Sequence, residues 1–351
     1  MCAEHQTGNH PFIGRSLNKN VYTKHHVLAW PAHTLITEQV LRKLYSLGVE
    51  LTEADVEPRH AAVDRVLEHA VTEMKGIFHF ARDTGQLIVE DIQARVVPMV
   101  RQSAEAGMLY EWLNKLQTED DVTCRHSIAV AMVAVLIGQW LQLDDEQISL
   151  LATAGLLHDV GKLRVPASIL NKPGRLSAEE FAEMKRHAEY GYEMLTGQSG
   201  IEDKIALVAL RHHERMDGSG YPFGLRGDEI DLASRIVAVA DVFHAMLSKR
   251  VYKNELPFYQ VIKEISQSAF DQFDAQVVTV FARRMMETMI GSQVLLSDRR
   301  VGTVLSVNPH DPANPLVRAG EQFIDLSACR ELNIVHFVPS ANDRFGEEES
   351  R

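Results

Sequence analysis

Two adjacent imidazoles, His212 and His213, stand in the run Arg-His-His-Glu-Arg-Met-Asp-Gly-Ser-Gly-Tyr-Pro at 211–222, and a His158-Asp159 pair precedes them. Burying neighbouring imidazoles is costly unless the ring nitrogens find partners. A metal ion relieves that cost, and imidazole is the commonest protein ligand for transition metals. More donors of the same kind surround the pair. His126 heads the apolar run 128–141, His187 follows Met184-Lys185-Arg186, and Asp241 closes the apolar run 236–240. Each lies on, or at the end of, an apolar helical stretch bound for a core, so convergence on one metal site is the economical reading.

Such a donor set suits metal-assisted hydrolysis. That chemistry needs a nucleophile at neutral pH and charge stabilisation at the reacting centre. Two metals held close together supply both, because a water between them loses its proton. Asp159 is the natural bridge, since one carboxylate oxygen can serve each ion. A nitrogen-rich set with carboxylates suits iron or manganese better than magnesium. Lys162 lies one helical turn beyond His158, so it can face the same cleft. Tyr221, in a glycine-rich loop, offers a flat face and a hydroxyl to a base.

The strings His158-Asp159-Val160-Gly161-Lys162, His212-His213-Glu214 and Gly220-Tyr221-Pro222, in this order, resemble the HD-GYP subgroup of the HD metal-dependent phosphohydrolases. The likeness extends through 172–176, the stretch around His187, and 235–242, and covers roughly residues 100–285. An ordered series of this kind is far more specific than a lone His-Asp dipeptide. The resemblance implies a mainly α fold, an HD-type helical bundle, hydrolysing cyclic di-GMP to linear pGpG in the cytoplasm with two divalent ions. It implies that His126, His158, Asp159 and Asp241 hold one ion, and that His187, His212, His213 and again Asp159 hold the other. It also places Arg250 and Lys253, with Lys162 and Tyr221, near the substrate. The alternatives are an HD hydrolase of another nucleotide, and a non-catalytic module whose Gly-Tyr-Pro loop contacts proteins such as cyclic di-GMP synthases. Two positions depart from the family pattern. Three-metal members carry a glutamate where this chain has Val122, and a second aspartate is usual where it has His244. The first departure implies two ions rather than three, with slow or absent further cleavage to GMP.

Positioning these residues falls to a long helical region. The expected organisation is a small α+β unit over 1–56, a helical domain over 57–290 and a β-rich appendage over 291–351 with a disordered acidic tail. In the first unit, 21–22 and 27–29 read as strands, and 37–47 as a helix stopped by Gly48. Residues 61–81 repeat apolar positions at helical period, and 89–116 continue helically with a kink or break at Pro98. Ser177-Ala178-Glu179-Glu180 is a capping box opening the helix that carries His187. The stretch 217–228 must be a loop, with four glycines and a proline. Beyond 290 the period changes, and 294–297, 300–307, 316–318 and 334–338 read as strands.

Composition sets the limits. The 351-residue chain has 45% hydrophobic and 24% charged residues, as in an ordinary globular protein. A net charge of -12 argues against a general grip on polymeric nucleic acid, which rests on clustered positive charge. The three cysteines (Cys2, Cys124, Cys329) are far apart and fit a reducing compartment. The N-terminus lacks the regions of a signal peptide, and the longest apolar run is too short to span a bilayer.

Overall fold

A computed structural model describes residues 10–25, 28–32, 34–57, 59–105, 122–198, 201–250, 258–268, 271–329 and 331–338. The chain divides into two compact units: Met1–Gln139 with Leu143–His212, and Trp140–Gln142 with His213–Arg351. Among the described residues no helix is long and apolar enough to cross a membrane.

The first unit opens with a two-stranded antiparallel ribbon, β1 (Val21–Tyr22) and β2 (Leu28–Trp30), followed by α1 (Glu38–Ser46). Thr37 caps α1 by accepting from the Val40 N–H, and Gly48 takes a φ of +71° just after it. Leu17, Ile36, Leu41 and Leu44 pack there with Phe12, Val21 and Val56 in a core of their own.

Next come α2 (Arg59–Thr84), a short α3 (Val89–Asp91) and α4 (Val97–Glu105). Residues Ile92–Val96 between α3 and α4 form a π-helical turn, in which the Val97 N–H donates to the carbonyl of Ile92. The distortion expected at Pro98 thus falls in the turn before it, where the ladder adjusts ahead of a residue with no N–H. The rest of the expected helix, 106–116, lies outside the described residues.

The centre of the first unit is α5 (Val122–Trp140), buried without interruption over 127–137. It crosses α6 (Asp145–Leu157) at close range, because a Cβ on Gly155 would lie 2.6 Å from Ala131 Cα. Asp144 and Gln147 form the capping box that starts α6. A tight 3-10 turn (Val160–Arg164) leads to α7 (Ala167–Leu170), α8 (Ala178–Lys185), α9 (His187–Leu195) and α10 (Asp203–Arg211). Ser177 caps α8 as expected. The helix it opens stops at Lys185, however, and His187 is the first residue of a new helix.

The second unit holds the glycine-rich loop, α11 (Leu232–Arg250), α12 (Phe258–Ser268), α13 (Ala275–Glu287) and an antiparallel five-stranded sheet. Its strands are β3 (Gln293–Leu296), β4 (Val301–Ser306), β5 (Leu316–Ala319), β6 (Gln322–Asp325) and β7 (Ile334–Val338), in the order β6-β5-β4-β3-β7. Four strands lie where the alternation of the sequence puts them, and β6 is additional. The sheet meets the helices of its own unit through the fully buried Tyr259, whose ring lies edge-on to Phe337 at 6.0 Å. The expected acidic tail falls outside the described residues.

Candidate metal centre

Four helices of the first unit bring five donor side chains together. His126 sits in the second turn of α5, and His158 and Asp159 follow the last residue of α6. His187 opens α9, and His212 follows the last residue of α10. His126, His158 and Asp159 form one group with ligand atoms within 4.8 Å of one another, and Asp159, His187 and His212 form a second within the same limit. His158, Asp159, His187 and His212 are each at most 3% exposed.

Asp159 belongs to both groups through different oxygens. Its Oδ2 lies 3.3 Å from His158 Nε2 and 3.7 Å from His126 Nε2. Its Oδ1 lies 3.4 Å from His187 Nε2 and 3.8 Å from His212 Nε2. One carboxylate therefore faces two pairs of imidazoles.

The histidine ring orientations follow from local helix geometry. His158 Nδ1 lies 2.8 Å from the Gly155 carbonyl, His187 Nδ1 2.7 Å from that of Met184, and His212 Nδ1 2.9 Å from that of Ala209. A carbonyl oxygen only accepts, so Nδ1 carries the proton in each ring and Nε2 of the neutral ring presents a lone pair. Burial pushes the His187 pKa below its ordinary value, although Asp159 opposes the shift. That ring is thus held neutral. Its Nε2 then faces His212 Nε2 at 3.4 Å, alongside a buried Asp159 Oδ1 that accepts no hydrogen bond. Lone pairs aimed at one another and at a carboxylate repel unless a cation lies among them. Nδ1 anchored on a backbone carbonyl with Nε2 turned inward is the arrangement of metal-binding histidines. The residues fit divalent metal.

Lys162 is in the cleft, but its partner there is Asp159, whose Oδ2 accepts from Nζ at 2.5 Å. Burial alone would raise the Asp159 pKa. Lys162 above all outweighs it, and the carboxyl lies well below the usual carboxylate range. Asp159 and Lys162 line a cavity of about 180 Å³ together with Lys75, Phe78, His79 and Arg82 of α2.

The remaining candidates belong to the second unit, whose main segment starts at His213. The His213 ring stacks on Tyr221 at 4.6 Å and 28°, so one face of Tyr221 is already covered. Gly220 folds tightly onto this segment, since a Cβ there would lie 2.4 Å from Glu214 Cα. The buried Glu214 carboxylate accepts the N–H groups of Phe223 at 2.7 Å and Leu225 at 3.0 Å, and so fixes the loop that presents Tyr221. Asp241 is buried on α11 with His244 one turn beyond. Burial lowers the pKa of the nearby Arg215, and Asp241 partly offsets this. The Arg250 and Val122 side chains and all of Lys253 lie outside the described residues.

Reasoning from sequence passed over two parts of this arrangement. Glu214 could have been found as an acid beside a ligand pair and before a glycine-rich loop. Lys75, His79 and Arg82 share one helical face, at i, i+4 and i+7. Nothing local in the sequence assigns that face to the cleft.

The chain is 35% identical over 239 residues to the cyclic di-GMP phosphodiesterase PA4108 of Pseudomonas aeruginosa, covering 65% of this chain and 58% of that protein. It is 52% identical over 153 residues to the cyclic di-GMP phosphodiesterase response regulator RpfG of Xanthomonas campestris, covering 43% and 40%. The chain thus spans about half the length of these relatives. The fold resembles Bd1817, an HDG"Y"P protein of Bdellovibrio bacteriovorus, with a TM-score of 0.51 and 19% identity over 69% of this chain and 77% of that one. The HD domain family matches residues 98–277, over half of the chain, and with His158-Asp159 at the meeting point of both donor groups this chain belongs to the HD-domain family.

Proposed function

We propose that the protein is a metal-dependent phosphodiesterase that opens cyclic di-GMP to linear pGpG with two transition-metal ions, iron or manganese. The observation that carries this reading is the pair of imidazole groups facing the two oxygens of Asp159. His126 and His158 with Asp159 would hold one ion, joined by Asp241. His187 and His212 with Asp159 would hold the other, joined by His213. Ions bound there would activate water and neutralise charge developing on the phosphate.

The rest of the chemistry belongs to the chain. The backbone carbonyls of Gly155, Met184 and Ala209 hold the ring tautomers, and burial keeps His187 unprotonated. Lys162 neutralises Asp159 in the metal-free protein. Were Asp159 to serve as a ligand, the Lys162 ammonium would turn to a non-bridging phosphate oxygen. In the overall reaction, water oxygen bonds to phosphorus, the bond from phosphorus to one ribose O3′ breaks, and that oxygen takes up a proton. Tyr221, in the loop held by Glu214 and backed by His213, would stack on a guanine, with Arg250 and Lys253 as further phosphate contacts. In this reading 1–56 and 291–351 are accessory to a catalytic region over 57–290, and the Gly-Tyr-Pro loop doubles as a surface for cyclic di-GMP synthases. The site of action is the cytoplasm.

Anaerobic assay of the iron- or manganese-loaded protein, with the products resolved by chromatography, tests the reading. Cyclic di-GMP and a mixed guanine–adenine cyclic dinucleotide serve as competing substrates. Formation of pGpG at the higher kcat/KM supports it. No cleavage by the fully loaded protein contradicts the enzyme, and preference for the mixed nucleotide contradicts the substrate.

A further inference from the structure

A second cavity, of about 470 Å³, opens within the first unit among α4, α6 and α10. Its size falls in the roughly 300–1,000 Å³ range of small-molecule sites. Val97 of α4, Leu150 and Thr153 of α6 and Ile205 of α10 line it and are buried, so they form its floor. The π-helical turn before α4 adds Gln93, and α1 adds Gln39. Such turns inside helical stretches are frequent at functional sites. Gln39, Gln93 and Val97 all precede the HD domain match at 98–277, so that match alone does not build this cavity.

The lining sets the chemistry of an occupant. Glu105, Glu146 and Glu202 stand exposed around the buried floor. Arg101 also lines the cavity, but it is ion-paired with Asp145 and donates to Ser149 Oγ at 2.6 Å, so its charge is already matched. Carboxylates only accept hydrogen bonds, and an ammonium group has three to donate. A hydrocarbon chain suits the floor. Two of the lining helices also lead to the metal centre. His158 lies about 8 Å along the axis beyond Thr153 on α6, with Asp159 next to it, and His212 lies about 10 Å beyond Ile205 on α10.

We propose that this cavity is an effector site for a small organic ammonium ion, an amine on a short hydrocarbon chain, whose binding alters metal affinity through α6 and α10. The binding stands apart from the phosphodiesterase reading, whereas the coupling rests on the metal centre of that reading. An occupant seated among these helices displaces the ends that bear His158, Asp159 and His212, because packed helices respond to a wedge by shifting as units. By linkage, metal binding changes the affinity for the amine by the same factor.

Calorimetric titration of the full metal-loaded chain with hexamethylenediamine tests the site, with hexanediol as the uncharged counterpart. The diamine is expected to saturate a single site, and the diol to bind at least about tenfold more weakly. The triple variant Glu105→Gln/Glu146→Gln/Glu202→Gln keeps the shape of the cavity and is expected to lose at least about tenfold in diamine affinity, with wild-type metal content. Glu202 is exposed and makes no side-chain cap to α10, so Glu202→Gln alone carries the comparison if the triple variant fails to fold. Saturating diamine should also shift the chelator concentration that strips the metal by at least about fivefold in the wild type and leave it unmoved in the triple variant. No saturable diamine binding, equal binding of the diol, or equal binding by the triple variant overturns the site. Diamine binding with an unmoved chelator midpoint overturns the coupling. A chain that takes up no metal overturns the phosphodiesterase reading and the coupling with it, while diamine titration of that same chain still decides the site.

Discussion

A Cβ on Gly161 would lie 1.9 Å from the carbonyl oxygen of His187, so the turn after Asp159 presses directly on the start of α9. The same Cβ would lie 2.4 Å from the Gly191 nitrogen one turn further along that helix. Backbone contact this close is what brings the Asp159 carboxylate to the His187 ring. Gly161→Ala is therefore expected to push the turn and the helix apart, destabilising the fold by about 1–3 kcal/mol and lowering metal affinity more than any surface substitution. Thermal melts with and without added manganese check this. A variant with wild-type stability and metal affinity contradicts the packing account.

Acidification of the metal-free protein gives a second test. The His187 pKa lies below its ordinary 6.5, chiefly through burial, and that of Asp159 lies well below 3.8 because the Lys162 ammonium above all outweighs burial. Both groups bind protons more readily in the unfolded chain. The stability that follows is complete above the ordinary values and is lost as pH falls toward the values in the fold. The metal-free protein should therefore begin to lose stability below 6.5 and lose more below 3.8, and His187→Leu should flatten the upper part of that curve. Urea unfolding across this range measures it. Wild-type stability that rises on mild acidification contradicts the assignment.

Much of the centre can be read from the chain, because metal-binding residue types recur at the ends of apolar runs: His126, His158-Asp159, His187, His212. Where each side chain points is not legible there. The Asp159 carboxylate serves two groups because α6 ends where it does, and because Gly161 lets α9 approach. Lys162 pairs with Asp159, an i, i+3 contact the sequence permits but does not select. The sequence reading missed β6 because most of its residues are exposed, including Phe323 at 68%, and the strand shows no clean alternation of burial. It ran one helix through His187 because nothing in Lys185-Arg186-His187 signals a break, and tertiary contact at Gly161 and Gly191 supplies the reason for one. The α2 face beside Asp159 lay out of reach for the same cause, since an amphipathic helix shows that a face is polar and not what it faces.

Glu214 provides a third prediction. Its carboxylate holds the N–H groups of Phe223 and Leu225 in the loop that carries Tyr221. Glu214→Ala leaves both donors without that acceptor, at about 1–3 kcal/mol for each that stays buried. The loop should loosen, raising KM for cyclic di-GMP with a smaller effect on kcat. Glu214→Gln retains one acceptor oxygen and should fall between. Steady-state kinetics of the two variants decide the matter, and an unchanged KM in Glu214→Ala would show that the loop does not position substrate.

Tyr221 separates two contributions. With one face on His213, it has at most the other to offer a base. Tyr221→Phe keeps the stack and should bind substrate nearly as wild type does, whereas Tyr221→Ala loses about 1–3 kcal/mol of base stacking. Equal Michaelis constants for the alanine variant and wild type would limit Tyr221 to packing against His213.

Metal counting on the purified protein and its Asp159→Ala variant tests the central claim most directly. Asp159 is the one residue common to both donor groups, and Val122, one turn before His126 on α5, has no donor atom for a third ion. The account predicts two tightly bound ions per chain in the wild type and loss of both in Asp159→Ala, with the helical circular dichroism retained. An Asp159→Ala protein that keeps both ions, or a wild type that binds none or three, would contradict it.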